Sequence, residues 1–393
     1  MRYRFSLLLL ASFFTMLIII SCGKDGDTPI TPTTPTPTPS TSPTSTPEQT
    51  TVDLTTVRKD IATNLAIKII IPAYENLKEN TDELVVAVDL FNNNPTEEHL
   101  IAAQTALKNS WLAWQNASIY MFGPAESVAL RKSLNTYPTD VNQIAANIQT
   151  GDYILSSLAN QAAVGFPAVD YLLHGVAIDN ADIMDYYKGE VDGQKQYLTD
   201  LTNDIKTRVD QSLNAWVIDG ENYTATFTED NALGIDIGSS LSTIVNAIDL
   251  HFQRFVRDGK VAIPAGIRSA GVPRPKAIEA LYGGYSVELL QESLSAYEKM
   301  FMGISADDID GTGLYDYLVA INAKDLADDM QAQFDIAQLA TDNLSDPLAD
   351  QIDADLDAMT NVFIEMQKIV VLVKSDMASL MGISITNQDN DGD

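Results

Sequence analysis

Several polar side chains in this sequence stand at spacings that could do chemistry. Asp170 and His174 lie four residues apart in the run Gly165-Phe166-Pro167-Ala168-Val169-Asp170-Tyr171-Leu172-Leu173-His174-Gly175. On a helix they share a face. Either they bind a metal ion together, or His174 closes the helix C-terminus beside Gly175. His251 and Arg254 share a face in the same way, and either point into a pocket or pair with Asp249 or Asp258. Arg254 would suit an anionic ligand or a buried carboxylate such as Asp170. Tyr285 and Ser286 start a helix whose free backbone N–H groups either hold an anion or take an ordinary cap. Trp111 and Trp114 read as core.

Cys22 is the only cysteine, so thiolate catalysis, a disulfide within the chain and a Cys-ligated metal are all excluded once it is lipidated. Arg2 and Arg4 precede an apolar run over 5–20, then Ile19-Ile20-Ser21-Cys22. This is the layout of a signal peptide, 1–21, cleaved to expose a cysteine for acylation. The run is shorter than about 20 residues and spans a bilayer poorly as a permanent helix. The expectation is a cell-envelope lipoprotein, anchored to the outer membrane through Cys22 and facing the periplasm or the cell surface. Residues 22–51 form a Pro/Thr-rich tether with a reach of roughly 90 Å in polyproline form. The tail at 387–393 resembles the opening half of a calcium loop, lacks the closing glutamate and is expected to be disordered. Formal charge is −30, and loss of Arg2 and Arg4 takes it to −32. So acidic a chain repels phosphate backbones, which argues against a nucleic-acid partner.

The elements that must position these residues are helical. Leu100, Leu107, Trp111, Trp114, Ser118 and Met121 recur on one face of a helix over 100–122, opened by Thr96 and stopped by Gly123-Pro124. Residues 53–91 read as another long helix, with Pro72 as a kink. Further helices are expected over 140–149, 152–160, 167–174, 190–217, 234–258, 276–302, 313–343 and 345–381. No period-two alternation stands out, so the fold class is all-α, built of antiparallel bundles. The polar stretch from Trp216 to Gly234, with Gly220 within it, is the best boundary, giving an N-terminal bundle at 52–218 and a C-terminal bundle at 219–386.

Taken in order, four pieces resemble the imelysin family of exported bacterial proteins over roughly 53–381. They are the Trp-x-x-Trp helix ending in Phe122-Gly123-Pro124, the glycine-led segment at 165, Arg254 within His251-Phe252-Gln253-Arg254-Phe255, and Tyr282-Gly283-Gly284-Tyr285-Ser286 following Glu279. The resemblance implies an imelysin-like fold of two helical bundles, with a site between 165–170 and 279–286. The family's signature is glycine, any residue, histidine, two residues, glutamate. Gly165 matches it, Pro167 stands where the histidine belongs, and Asp170 stands where the glutamate belongs. The resemblance makes Gly165, Pro167 and Asp170 ligand-site positions and places Glu126 near them, unless Glu126 is simply a free loop acid. Relatives were first described as metallopeptidase-like, and some are tied to iron uptake. A proline side chain offers no donor or acceptor, so the metal-ligand half of the signature is absent here. The resulting reading is a non-catalytic envelope protein that binds a metal ion (iron, zinc or calcium), a small metal complex or another small polar ligand. The alternatives are a metal-dependent peptidase of the imelysin type and a structural or adhesive surface protein.

Overall fold

In the computed structural model, which describes residues 52–189 and 193–386, short polar side chains open many of the helices. The signal peptide at 1–21, Cys22, the tether at 22–51 and the tail at 387–393 lie outside the described residues. Asp53 accepts the Thr55 N–H at 3.0 Å and opens α1. This helix runs Leu54–Asn64, widens into a π-helical turn at Leu65–Ile70, and continues as Ile71–Asn93. Thr96 caps α2 (Glu97–Ala117), whose first-turn Glu97 and Glu98 suit the positive end of the helix dipole. Then come α3 (Pro124–Ser127), α4 (Leu130–Leu134) and α5 (Val141–Thr150), the last capped by Asp140. Helix α6 comprises Gly165–Asp170 and a π-helical continuation, Tyr171–Gly175. It is followed by α7 (Asn180–Lys188), α8 (Gly193–Trp216) and α9 (Tyr223–Thr228). Helix α10 is Ser240–His251 extended by a long π-helical stretch, Phe252–Ala262. The chain continues with α11 (Ser286–Met302), α12 (Leu314–Ala320), α13 (Lys324–Thr341) and α14 (Leu348–Ala354). It closes with α15, which runs Leu356–Val371, a π-helical Leu372–Met377 and a last turn, Ala378–Met381.

Helices α1, α2 and α8 pack together, with α6 against α8. A second group gathers α10, α11, α13 and α15, and α11 also packs on α2. Buried apolar residues from both groups belong to one core cluster. Trp111 and Trp114 are fully buried in it, and Trp111 stacks on Phe166 at 5.6 Å between ring centroids. The protein is all-α as expected, with no strand among the described residues. Among those residues no helix is long and apolar enough to cross a membrane.

Four expected helices differ in the structure, each for a local reason. Of 152–160, only Leu158–Asn160 forms a helical turn, of the 3₁₀ type. The helix expected over 276–302 starts only at Ser286, because Ala280 (φ +50°) and Gly284 (φ +68°) take left-handed conformations. The one expected over 313–343 is divided by Asn322 at φ +62°, and the one over 345–381 by Asp355, which caps α15. Pro72 sits in the first turn after the π-helical stretch, so regular α-helix is interrupted just before it.

Truncating Trp114 to alanine should cost about 3–5 kcal/mol of stability, the usual loss for a fully buried large aromatic. Denaturant unfolding of the variant measures it, and a loss below about 1 kcal/mol would contradict the core assignment.

Candidate functional site

Gly165 enters α6 at φ +75°, and a Cβ there would lie 2.3 Å from the Leu134 carbonyl oxygen. Only glycine meets both conditions. Pro167 falls in the first turn, where its missing N–H leaves no helical bond unmade. Asp170 follows one turn on, 1% exposed. Its Oδ2 accepts the Tyr282 backbone N–H at 3.0 Å, which ties α6 to the 279–286 turn. Gly283 is equally constrained, since a Cβ there would lie 2.8 Å from Asp170 Oδ1 and 2.3 Å from the Tyr285 ring. His174 Nδ1 lies 3.2 Å from Asp170 Oδ1, but the angles do not make a hydrogen bond, and neither atom has another protein partner. The Tyr285 hydroxyl is buried without a partner as well. Burial pushes this phenol well above its usual range, and the nearby Asp170 and Glu279 carboxylates add to that.

The backbone N–H groups at the start of α11 do not await a ligand. Asp346 takes Val287 N–H with both carboxylate oxygens at 3.0 Å and Glu288 N–H at 3.3 Å. The Ser286 hydroxyl donates inward to the Glu279 carbonyl. The anion-holding role expected of Tyr285 and Ser286 is therefore taken by the chain's own carboxylate.

Beneath this turn, Glu279 and Lys260 form a buried ion pair, and Asn135 Nδ2 donates to Glu279 Oε1 at 2.7 Å. Burial lowers the Lys260 ammonium from its usual range, against the pull of Glu279. Sequence reasoning did not single out Lys260. It stands 19 residues from Glu279, across a Gly- and Pro-rich stretch, and no spacing rule connects the two.

Glu126 and Arg254 lie elsewhere, on the wall of an open cleft of about 1100 Å³. The same wall carries Arg131, Lys132, Arg274 and Lys276. The Arg131 guanidinium lies 4.1 Å from the Phe255 ring centroid and donates to the Ser118 carbonyl. Burial lowers its pKa to about 10, so it stays charged at neutral pH. Asn135 lines the cleft and also holds Glu279, so the ion pair stands directly behind the cleft wall. The candidate residues thus fall into two sets. Gly165, Pro167, Asp170, His174, Tyr285 and Ser286 gather around the buried turn, while Glu126 and Arg254 open onto the cleft.

His251 does not share the exposure of Arg254. It is buried, with Nδ1 hydrogen-bonded to the Tyr297 hydroxyl and Nε2 3.3 Å from Ser118 Oγ. Desolvation, then the positive charges of Arg131 and Lys260, hold it well below the usual histidine range. It is therefore neutral at pH 7.

A metal of the kind the resemblance implies needs three or more protein donors. Asp170 and His174 supply two, and one oxygen of Asp170 is already bound to Tyr282. Among the described residues no group of three or more His, Cys, Asp or Glu side chains could hold a metal ion. The described residues do not fit a protein-ligated metal centre.

Fold and site together define an all-helical protein with a cation-walled cleft beside a buried carboxylate turn. The chain belongs to the imelysin family, whose sequence profile matches residues 70–364. Two solved structures share the fold at 17% identity. One is an imelysin-like protein from Psychrobacter arcticum 273-4, with TM-score 0.67 over 85% of this chain and 98% of that one. The other is a putative iron-regulated protein A precursor from Parabacteroides distasonis ATCC 8503, with TM-score 0.66 over 81% of this chain and 95% of that one. None of the curated proteins compared with the chain matches it.

This geometry predicts two outcomes. Gly165→Ala should cost at least about 2 kcal/mol, from left-handed strain plus the clash with Leu134. An unchanged denaturation midpoint would contradict the assignment. The second concerns His251, whose folded pKa lies below its unfolded value of about 6.5. Its contribution is fully present above that value and is lost as pH falls, because the unfolded chain takes up the proton that the folded one refuses. Between pH 6.5 and 5.5 the wild type should lose up to about 1 kcal/mol more than His251→Gln does. Parallel pH profiles for the two proteins would contradict the reading.

Proposed function

We propose that this protein is a non-catalytic ligand-binding protein of the cell envelope, held to the outer membrane by lipid on Cys22, with its ligand site in the 1100 Å³ cleft. The observation that carries the reading is the cleft itself. Its volume is of the order of a small-molecule pocket, about 300–1000 Å³. Its walls offer cationic and apolar contacts, which suit the holding of a small ligand. The envelope location rests on the Arg-led apolar segment that ends at Cys22. An iron-related ligand is favoured by the family and by the structural likeness to a protein described as iron-regulated. With Glu126 the single acid on its wall, the cleft would take iron as a small complex that brings its own ligands. The metal-dependent peptidase takes second place in this reading because Asp170 and His174 offer only two donors where such chemistry uses three or more.

Calorimetric titration of the full chain with ferric citrate, and with ferrous, ferric, zinc and calcium ions, tests this. Ferric citrate should bind at one site per chain, and Ala277→Trp, which narrows the cleft, should weaken it at least tenfold. Silence with every metal species would remove the metal version. Undiminished binding by Ala277→Trp would move the ligand out of the cleft.

A further inference from the structure

The cleft is opposite in charge to the protein that contains it. The chain has 24 Lys and Arg against 54 Asp and Glu. The cleft wall carries five of those cations, Arg131, Lys132, Arg254, Arg274 and Lys276, and a single acid, Glu126. They come from three separate segments: α4, the π-helical part of α10, and the turn around Pro275–Ala277. Lys132, Arg274 and Lys276 are exposed and enter no ion pair among the described residues. With more than twice as many acids as bases in the chain, most cations find partners, so these three left without ion pairs on one cleft wall are informative.

The space between these cations is not polar. Met121, Leu130, Tyr137, Phe255 and Ile263 line it. A bare inorganic anion would fill little of about 1100 Å³ and would leave this apolar lining wet. A neutral apolar ligand would leave the cations unused. A nucleic acid would meet the acidic exterior first.

We propose that the cleft receives an organic anion with an apolar body, its carboxylate, sulfonate or phosphate group held by Lys132, Arg274 and Lys276. The proposal rests on the reading of the cleft as the ligand site and adds the chemical class of the ligand, which for an iron complex is that of its organic, anionic chelator. Arg131, fixed by Ser118 and the Phe255 ring, supplies a rigid planar donor at the floor.

A matched pair of fluorescent probes tests it on the full chain. 1-Anilinonaphthalene-8-sulfonate and N-phenyl-1-naphthylamine share the apolar body and differ by the sulfonate. The sulfonate should bind at one site, at least about tenfold tighter than the neutral amine, and weaken as salt rises. Lys132→Glu combined with Lys276→Glu should reduce sulfonate binding at least about tenfold and leave the amine within about twofold. Both substitutions are at exposed positions, and an unchanged thermal melt confirms folding. Equal binding of the two probes, abolished for both by Ala277→Trp, would overturn the anion assignment while keeping the cleft as a ligand site. Failure of both probes to bind, or indifference of both to Ala277→Trp and to charge reversal, would overturn the anion assignment together with the cleft.

Discussion

The buried pair between Lys260 and Glu279 is the constraint around which the functional region is arranged. Two charges removed from water must meet each other and fill their remaining hydrogen-bonding capacity, or the fold carries an uncompensated charge worth about 3–5 kcal/mol. Lys260 comes from the π-helical part of α10, Glu279 from the turn before α11, and Asn135 from the end of α4. Meeting that requirement draws three segments together that are distant in sequence. One side of the assembly is the cleft wall formed by Asn135, Gly259 and Ala277. On the other, the turn after Glu279 presents the Tyr282 N–H to Asp170 and the Gly283 backbone to its carboxylate. The cleft and the signature segment are thus two faces of one buried electrostatic joint.

The π-helical stretches decide which residues reach which face. In an ordinary α-helix His251 and Arg254, three apart, would share a side. The chain widens at Phe252, and the wider turn rotates the residues beyond it. His251 stays in the core against Tyr297, while Arg254 opens to the cleft. At Tyr171–Gly175 the chain widens in the same way, and His174 still lies over Asp170, Nδ1 to Oδ1 at 3.2 Å. Such turns are rare and persist where surrounding contacts hold them. Here the contacts are aromatic: Tyr282 packs on Tyr171 and crowds Gly175 so closely that no side chain fits there.

The features legible in the sequence are those whose signals are local. Apolar periodicity and the Thr96 cap located α2 and put both tryptophans in the core, because these depend on neighbours within a turn or two. The family signature located Gly165 and Asp170, and the structure supplies the reason for the glycine in a close backbone contact that leaves no space for Cβ. The start of α11 was misplaced although Gly283-Gly284 stood in plain view, since a glycine pair marks a turn only weakly when apolar residues flank it. The capping of α11 by Asp346 and the pairing of Lys260 with Glu279 were beyond reach, as each joins residues with no periodic relation. The cleft was hidden for the same reason. Its cations are spread over 131–276 and form no motif until the fold gathers them.

The opposition between exterior and cleft also bears on how an anion would be recognised. At physiological salt, charges further apart than about 8 Å are largely screened. An approaching anion therefore meets the acidic exterior first, without long-range attraction to steer it. Attraction begins only within the cleft, where Arg131, Lys132, Arg274 and Lys276 are close and the apolar lining excludes part of the solvent. The arrangement puts discrimination into dwell time rather than arrival, since steering raises association and short-range contacts slow release. Weakly matched anions would be repelled by the surface and poorly held by the cleft. A ligand that fills the apolar space and reaches cations on three segments gains from every wall at once.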